Sequence, residues 1–177
     1  HLLASSESIL TEEYGVISNT FSDSVTDRSN KYFVEETVTL TEIQQFFDAA
    51  DDTEVYFYVF EGDSSDGVFR NIFSQKVTIT KGKDFKSSGQ INVILLEGKY
   101  YSIGASWGSK LQFVRGGRVP LETSFGKLIS GQSASASFPP ADSASFPSNF
   151  TPVYLQKLST TIPVDWISFE SDFGFID

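Results

Sequence analysis

Hydrophobic and polar positions alternate with period two through most of the chain, and almost nothing in it keeps the 3.6-residue spacing of an amphipathic helix. Thr37-Val38-Thr39-Leu40-Thr41 is such an alternation, rich in the β-branched residues that suit a pleated, half-buried surface. After Glu42 the apolar phase slips to Ile43, then to Phe46 and Phe47, which predicts a β-bulge. Between Glu54 and Phe60, Val55, Phe57 and Val59 fall on one face and Tyr56, Tyr58 and Phe60 on the other, so this strand is expected to be central and covered on both sides. Phe73, Val77 and Ile79 keep one phase, Ile91, Val93 and Leu95 another, and Tyr101, Ile103, Ala105 and Trp107 a third, followed by Leu111, Phe113 and Arg115. Turn-forming clusters separate them: Asp63-Ser64-Ser65-Asp66-Gly67, Lys81-Gly82-Lys83, Ser87-Ser88-Gly89, Glu97-Gly98-Lys99, Gly108-Ser109 and Gly116-Gly117. Short strands punctuated at roughly 8–12 residue intervals predict an all-β fold, an antiparallel β-sandwich or jelly roll, as one domain over residues 1–177.

Two stretches depart from this rhythm. Residues 130–152 contain seven Ser, four Pro and four Ala with a single charge, Asp142, and repeat Ser-Ala-Ser-Phe-Pro at 135–139 and 143–147. Proline has no amide donor and restrains the residue before it, so no ladder passes through Phe138-Pro139-Pro140 and a long loop is expected. Its Phe-Pro units are either pegs that tack the loop onto the sandwich or exposed knobs for a partner. Asn149-Phe150-Thr151 has the form of a glycosylation tripeptide. Val153 to Leu158 resumes as strand, and Val164 to Phe175 is an aromatic, acidic tail. At the other end, residues 1–20 are expected to supply a docked or exchanged strand within Ser8 to Ile17.

Composition narrows the chemistry. With no Cys and one His, thiol nucleophiles, iron–sulfur clusters and multi-histidine metal centres are excluded, and a Ser–His–Asp triad would need His1 itself as base. Twenty-three acidic residues make carboxylate pairs inevitable, but no pair stands out as a catalytic acid and base, so the protein is not expected to be an enzyme. The absence of Met implies that the translated start was removed, either with a secretory signal peptide ending before His1, the more economical reading, or by trimming of the chain; the first predicts a location outside the cell or at its surface. No apolar run is long enough to span a bilayer.

The net charge of −10 is unevenly distributed. Residues 1–67 carry 15 acidic and two basic residues, a net of −13; residues 68–163 carry four acidic and 11 basic, a net of +7; the last fourteen add −4. Either acidic and basic strands neutralise each other across a ladder, or the molecule has opposed faces that associate head to tail. Nucleic acid is not an expected partner, since it requires a clustered excess of Lys and Arg.

No cofactor is required by these residues. Calcium, which takes oxygen ligands alone, remains a candidate at Asp48, Asp51 and Asp52 or at Asp63 and Asp66, although both clusters also suit solvated turns. Tyr100, Tyr101 and Trp107 are candidates for stacking on a sugar ring; a Trp on an alternating strand also suits a core.

Tyr32-Phe33-Val34, Thr37 to Thr41, the strand Glu54 to Phe60, and Leu95-Leu96-Glu97-Gly98-Lys99-Tyr100-Tyr101-Ser102-Ile103-Gly104 together resemble the secreted bacterial and archaeal β-sandwich accessory domains of the pre-peptidase C-terminal type, over about residues 32–107. That resemblance implies a non-catalytic module for adhesion, for targeting to polymers, or as a spacer. Two functions follow as expectations. One is a secreted structural subunit that self-associates into a filament or surface assembly, with Ser8, Ile9, Leu10, Tyr14, Val16 and Ile17 as the exchanged segment and the apolar ends Leu2-Leu3 and Trp166 to Phe175 contributing. The other is a monomeric adhesion or carbohydrate-binding module whose partner is an extracellular polysaccharide.

Overall fold

A computed structural model describes residues 7–17, 21–24, 26–133, 135–147 and 149–163, with the backbone alone described at 7, 21–24, 162 and 163. His1, Leu2-Leu3 and the tail from Trp166 to Phe175 lie outside the described residues. Period-two alternation is realised as strands throughout: β1 (Glu7–Tyr14), β2 (Phe21–Ser24), β3 (Asp27–Val34), β4 (Val38–Ala49), β5 (Thr53–Gly62), β6 (Val68–Ile79), β7 (Gly82–Ser87), β8 (Val93–Leu95), β9 (Tyr100–Trp107), β10 (Leu111–Gly116), β11 (Leu121–Glu122), β12 (Gly126–Ser133), β13 (Ser143–Ser145), β14 (Val153–Tyr154) and β15 (Gln156–Pro163). They form two packed antiparallel sheets, a β-sandwich. One runs β1-β15-β4-β10-β14, with β7 and β8 also on β4 and β2 on β10; the other runs β11-β12-β3-β9-β5-β6-β13. No helix among the described residues is long and apolar enough to cross a membrane.

The phase slip in β4 is a bulge. Ser159 pairs with Glu42 and Thr160 with Leu40, so Thr41 is the extra residue. Leu40 and Ile43 consequently both reach the core. β5 is central, between β9 and β6, and is buried on both faces from Phe57 to Phe60. Val55, Phe57 and Val59 enter the space between the sheets with Phe47, Ile103, Trp107 and Phe113, whereas Tyr58 and Phe60 belong to a second apolar cluster with Phe69 and Phe146 on the outer face of the same sheet.

The charge asymmetry is resolved at least partly across strands. Glu54 pairs with Lys76 and Glu61 with Arg70 between β5 and β6, Glu13 with Lys157 between β1 and β15, and Asp63 with Lys99 between two turns. Each joins the acidic first 67 residues to the basic region that follows. These pairs are largely exposed, so they organise charge more than they stabilise the fold.

Inside the sandwich lies a polar column that alternation does not predict. The Asn30 side chain on β3 accepts from Tyr154 N–H at 3.0 Å and donates to Tyr154 C=O at 2.9 Å, as a strand neighbour would. Gln156 Nε2 donates to Ile103 C=O at 2.9 Å and to Gln45 Oε1 at 3.0 Å, and its Oε1 accepts the Tyr32 hydroxyl. All these side chains are buried. Truncating Asn30 strips two buried backbone groups of their partners, at about 1–3 kcal/mol for each group left unpaired. Asn30→Ala is therefore expected to lower unfolding stability by about 2–6 kcal/mol in a urea titration, against a near-zero change for an exposed control such as Thr78→Ala.

Candidate functional site

The expected loop over 130–152 is shorter and better ordered than its composition suggests. Ser130 to Ser133 belong to β12, paired with β3, and Ser143 to Ser145 form β13 on the edge of β6. Proline interrupts pairing at Pro139-Pro140, but the flanking Ser and Ala residues retain their amide donors. The described residues between β12 and β14 form a strap across the outer face of the seven-stranded sheet. Asn71 N–H donates to Asp142 C=O at 2.8 Å, and Phe150 bridges back to Gly131.

Three side chains of very different chemistry hold this strap. Phe146 is fully buried among Tyr58, Phe60 and Phe69, with ring centroids 6.5, 5.2 and 5.4 Å away. It is a peg. Phe138, its counterpart in the repeat, is 40% exposed and meets the Tyr56 ring edge-on at 5.5 Å. The other two are charged residues on the outward face of β3. Asp27 Oδ2 accepts from the amides of Ser135 and Ala136, each at 3.2 Å, and from the Tyr58 hydroxyl at 3.1 Å. Lys31 Nζ donates to Phe146 C=O at 2.7 Å and to Ser65 C=O, in the β5–β6 turn, at 2.5 Å. The strap is thus caught by an anion where it begins and by a cation where it turns back.

Both charges are almost inaccessible, 3% for Asp27 and 1% for Lys31. Burial pushes the Asp27 carboxyl above its ordinary range; the hydrogen bonds and the Arg28 charge act in the opposite direction and only partly offset it. Burial likewise pulls Lys31 below the usual lysine range, against the opposing charge of Asp66. Sequence reasoning missed both. Asp27-Arg28-Ser29-Asn30-Lys31 is polar on both faces, and nothing in it marks a buried central strand.

The sugar-stacking candidates do not form a platform. Trp107 is fully buried, edge-on to Phe47 at 5.1 Å, because its alternation directs it between the sheets. Tyr101 is also fully buried, its hydroxyl donating to Glu61 at 2.7 Å and accepting from Leu96 N–H at 2.7 Å. Tyr100 is half-buried and lies on Phe33 at 4.9 Å. Nor do the candidate calcium ligands converge: among the described residues no group of three or more His, Cys, Asp or Glu could hold a metal ion. Asp48 lies within β4 opposite Lys83 and Gln112, Asp52 caps the Lys81 amide at 2.9 Å, and Asp63 is engaged by Lys99. Asp51 and Asp66 are exposed in turns.

The assembly candidates sit together at a sheet edge. β1 pairs with β15 over its whole length, from Glu7 opposite Pro163 to Tyr14 opposite Gln156. Ser8, Ile9 and Leu10 are exposed, Tyr14 is buried against Tyr32 at 5.7 Å, and Val16 and Ile17 emerge exposed beyond the strand. No family model and no curated protein matches the chain.

Two outcomes test the strap. Phe146→Ala is expected to cost about 3–5 kcal/mol and to open the strap to limited proteolysis, while Phe138→Ala costs about 1 kcal/mol. For Asp27, the raised folded-state value means that its contribution to stability is fully present below the ordinary 3.8 and is lost as pH rises through the raised value. Wild type should therefore lose stability relative to Asp27→Asn as pH climbs from about 4 towards neutrality in urea titrations; a pH-independent difference would refute this.

Proposed function

We propose that the protein is a non-enzymatic structural subunit, secreted to the cell exterior, that associates with other copies of itself through β1. The observation that carries this reading is the position of β1. It is an edge strand whose described partner is β15 alone, and from Ser8 to Thr11 its side chains are exposed. An edge of this kind is a template for a neighbour's strand, and it can also be surrendered and replaced by an equivalent strand from another copy. Tyr14 and Glu12 anchor its far end, where Glu12 Oε1 accepts from the Tyr14 hydroxyl at 2.9 Å and from the Ser124 hydroxyl at 2.7 Å. Beyond them the strand is held chiefly by its ladder.

Two further features support the same reading. Ile9, 66% exposed, borders adjoining clefts of about 660 and 300 Å³, lined also by Thr39, Thr41 and Thr161 in the larger and by Thr11 and Ser159 in the smaller. Such clefts accommodate side chains from an added strand. A chain without Cys or Met offers little for oxidation to attack, which suits an extracellular material. The resemblance of residues 32–107 to secreted accessory sandwiches points to the same compartment.

Size-exclusion chromatography and electron microscopy of untreated protein are expected to show multimers or filaments. Deleting residues 1–17 should reduce them to monomers, and adding a peptide of residues 7–17 should cap the freed edge. Monomers alone in the intact protein, or an association state unchanged by the deletion, would sink the proposal and favour a monomeric adhesion module.

A further inference from the structure

Asp27 leaves an account unsettled. Buried carboxylates are as a rule paired with a cation, because hydrogen bonds alone offset only part of the loss of hydration. Asp27 forms no ion pair among the described residues. Arg28, adjacent in sequence, projects to the other side of β3, with its guanidinium 4.5 Å above the Phe113 ring and donating to the Asp27 backbone carbonyl at 2.7 Å. Among the described residues three donors reach the carboxylate, and all three converge on Oδ2.

Asp27 also lines a cleft of about 440 Å³ between the strap and the start of β3, together with Trp107, Gly108, Ser137 and Phe138 among others. The volume lies in the roughly 300–1,000 Å³ range of small-molecule sites. Phe138 is its accessible aromatic wall. The ring seats there because position 108 is glycine, as a Cβ would come within 2.8 Å of it. The turn presenting it is set by Ser137, whose φ of 66° lies in the left-handed region and whose hydroxyl donates to Pro139 C=O at 3.0 Å.

We propose that this cleft binds a small organic cation, an ammonium group on an aromatic or alkyl body, with Asp27 as counter-ion and Phe138 as the ring that receives the cation or its apolar body. A buried anion whose charge is only partly offset favours a positive ligand over a neutral one of equal shape, and an aromatic ring adds the attraction of its quadrupole. The hydroxyls of Thr26, Ser135 and Ser137 around the cleft provide acceptors for the remaining ammonium protons. The site is independent of β1 and of the assembly reading.

The test uses benzylammonium and its neutral isostere benzyl alcohol, titrated into the whole protein at neutral pH by calorimetry and by NMR of the Ser135 and Ala136 amides. Saturable binding of benzylammonium is expected, with shifts at both amides and affinity at least about tenfold above the alcohol. Asp27→Asn retains an oxygen for the three existing donors, so a wild-type-like spectrum is expected together with loss of the preference for charge. Phe138→Ala should weaken benzylammonium binding in an otherwise intact fold. No saturation below about 10 mM, equal affinity for the two compounds, or an unchanged preference in Asp27→Asn would each overturn the assignment.

Discussion

Asn30 substitutes for a strand. Its side-chain amide exchanges hydrogen bonds with the backbone of Tyr154 in the middle of an otherwise apolar sandwich, and Gln156, two residues on, ties the same region to Gln45, Tyr32 and the backbone of β9. Apolar contacts between sheets are tolerant of small slides; a buried amide that must satisfy named donors and acceptors is not. The column therefore fixes how one sheet lies on the other and where the chain from Val153 onward enters its sheet. Because β15 also pairs with β1, the edge strand inherits its position from the same few hydrogen bonds.

The outer face of the seven-stranded sheet uses a second arrangement. β3 directs Asn30 and Tyr32 inward and Asp27 and Lys31 outward, so one short strand organises both the core and the strap. Phe146 supplies most of the apolar contact there, while Asp27 and Lys31 supply direction, since each satisfies backbone groups of the strap that would otherwise be buried without partners. The cost is two buried charges. Lys31 is satisfied by two carbonyls, with Phe69 5.8 Å from its ammonium, whereas Asp27 lines a cleft and has no ion-pair partner among the described residues.

Self-association and cleft binding would use opposite parts of the architecture. β1 lies at an edge of one sheet, and the cleft lies under the strap on the other sheet's outer face. Occupying one leaves the other open, so copies joined through β1 would each present a cleft.

Residue periodicity by itself determined the fold class, the central position of β5, the bulge in β4 and the positions of most turns, because these depend on spacing that a single chain carries locally. It also identified the Phe-Pro repeat as a choice between peg and knob. Only the tertiary structure made that choice, burying Phe146 and leaving Phe138 half out, since identical pentapeptides differ only in what lies beneath them. It likewise decided that Trp107 and Tyr101 are core, that the aspartate clusters do not converge, and that Asp27 and Lys31 anchor the strap. These outcomes depend on contacts between residues tens to more than a hundred positions apart, and the polar stretch from Asp27 to Lys31 carries no local pattern from which such contacts can be read.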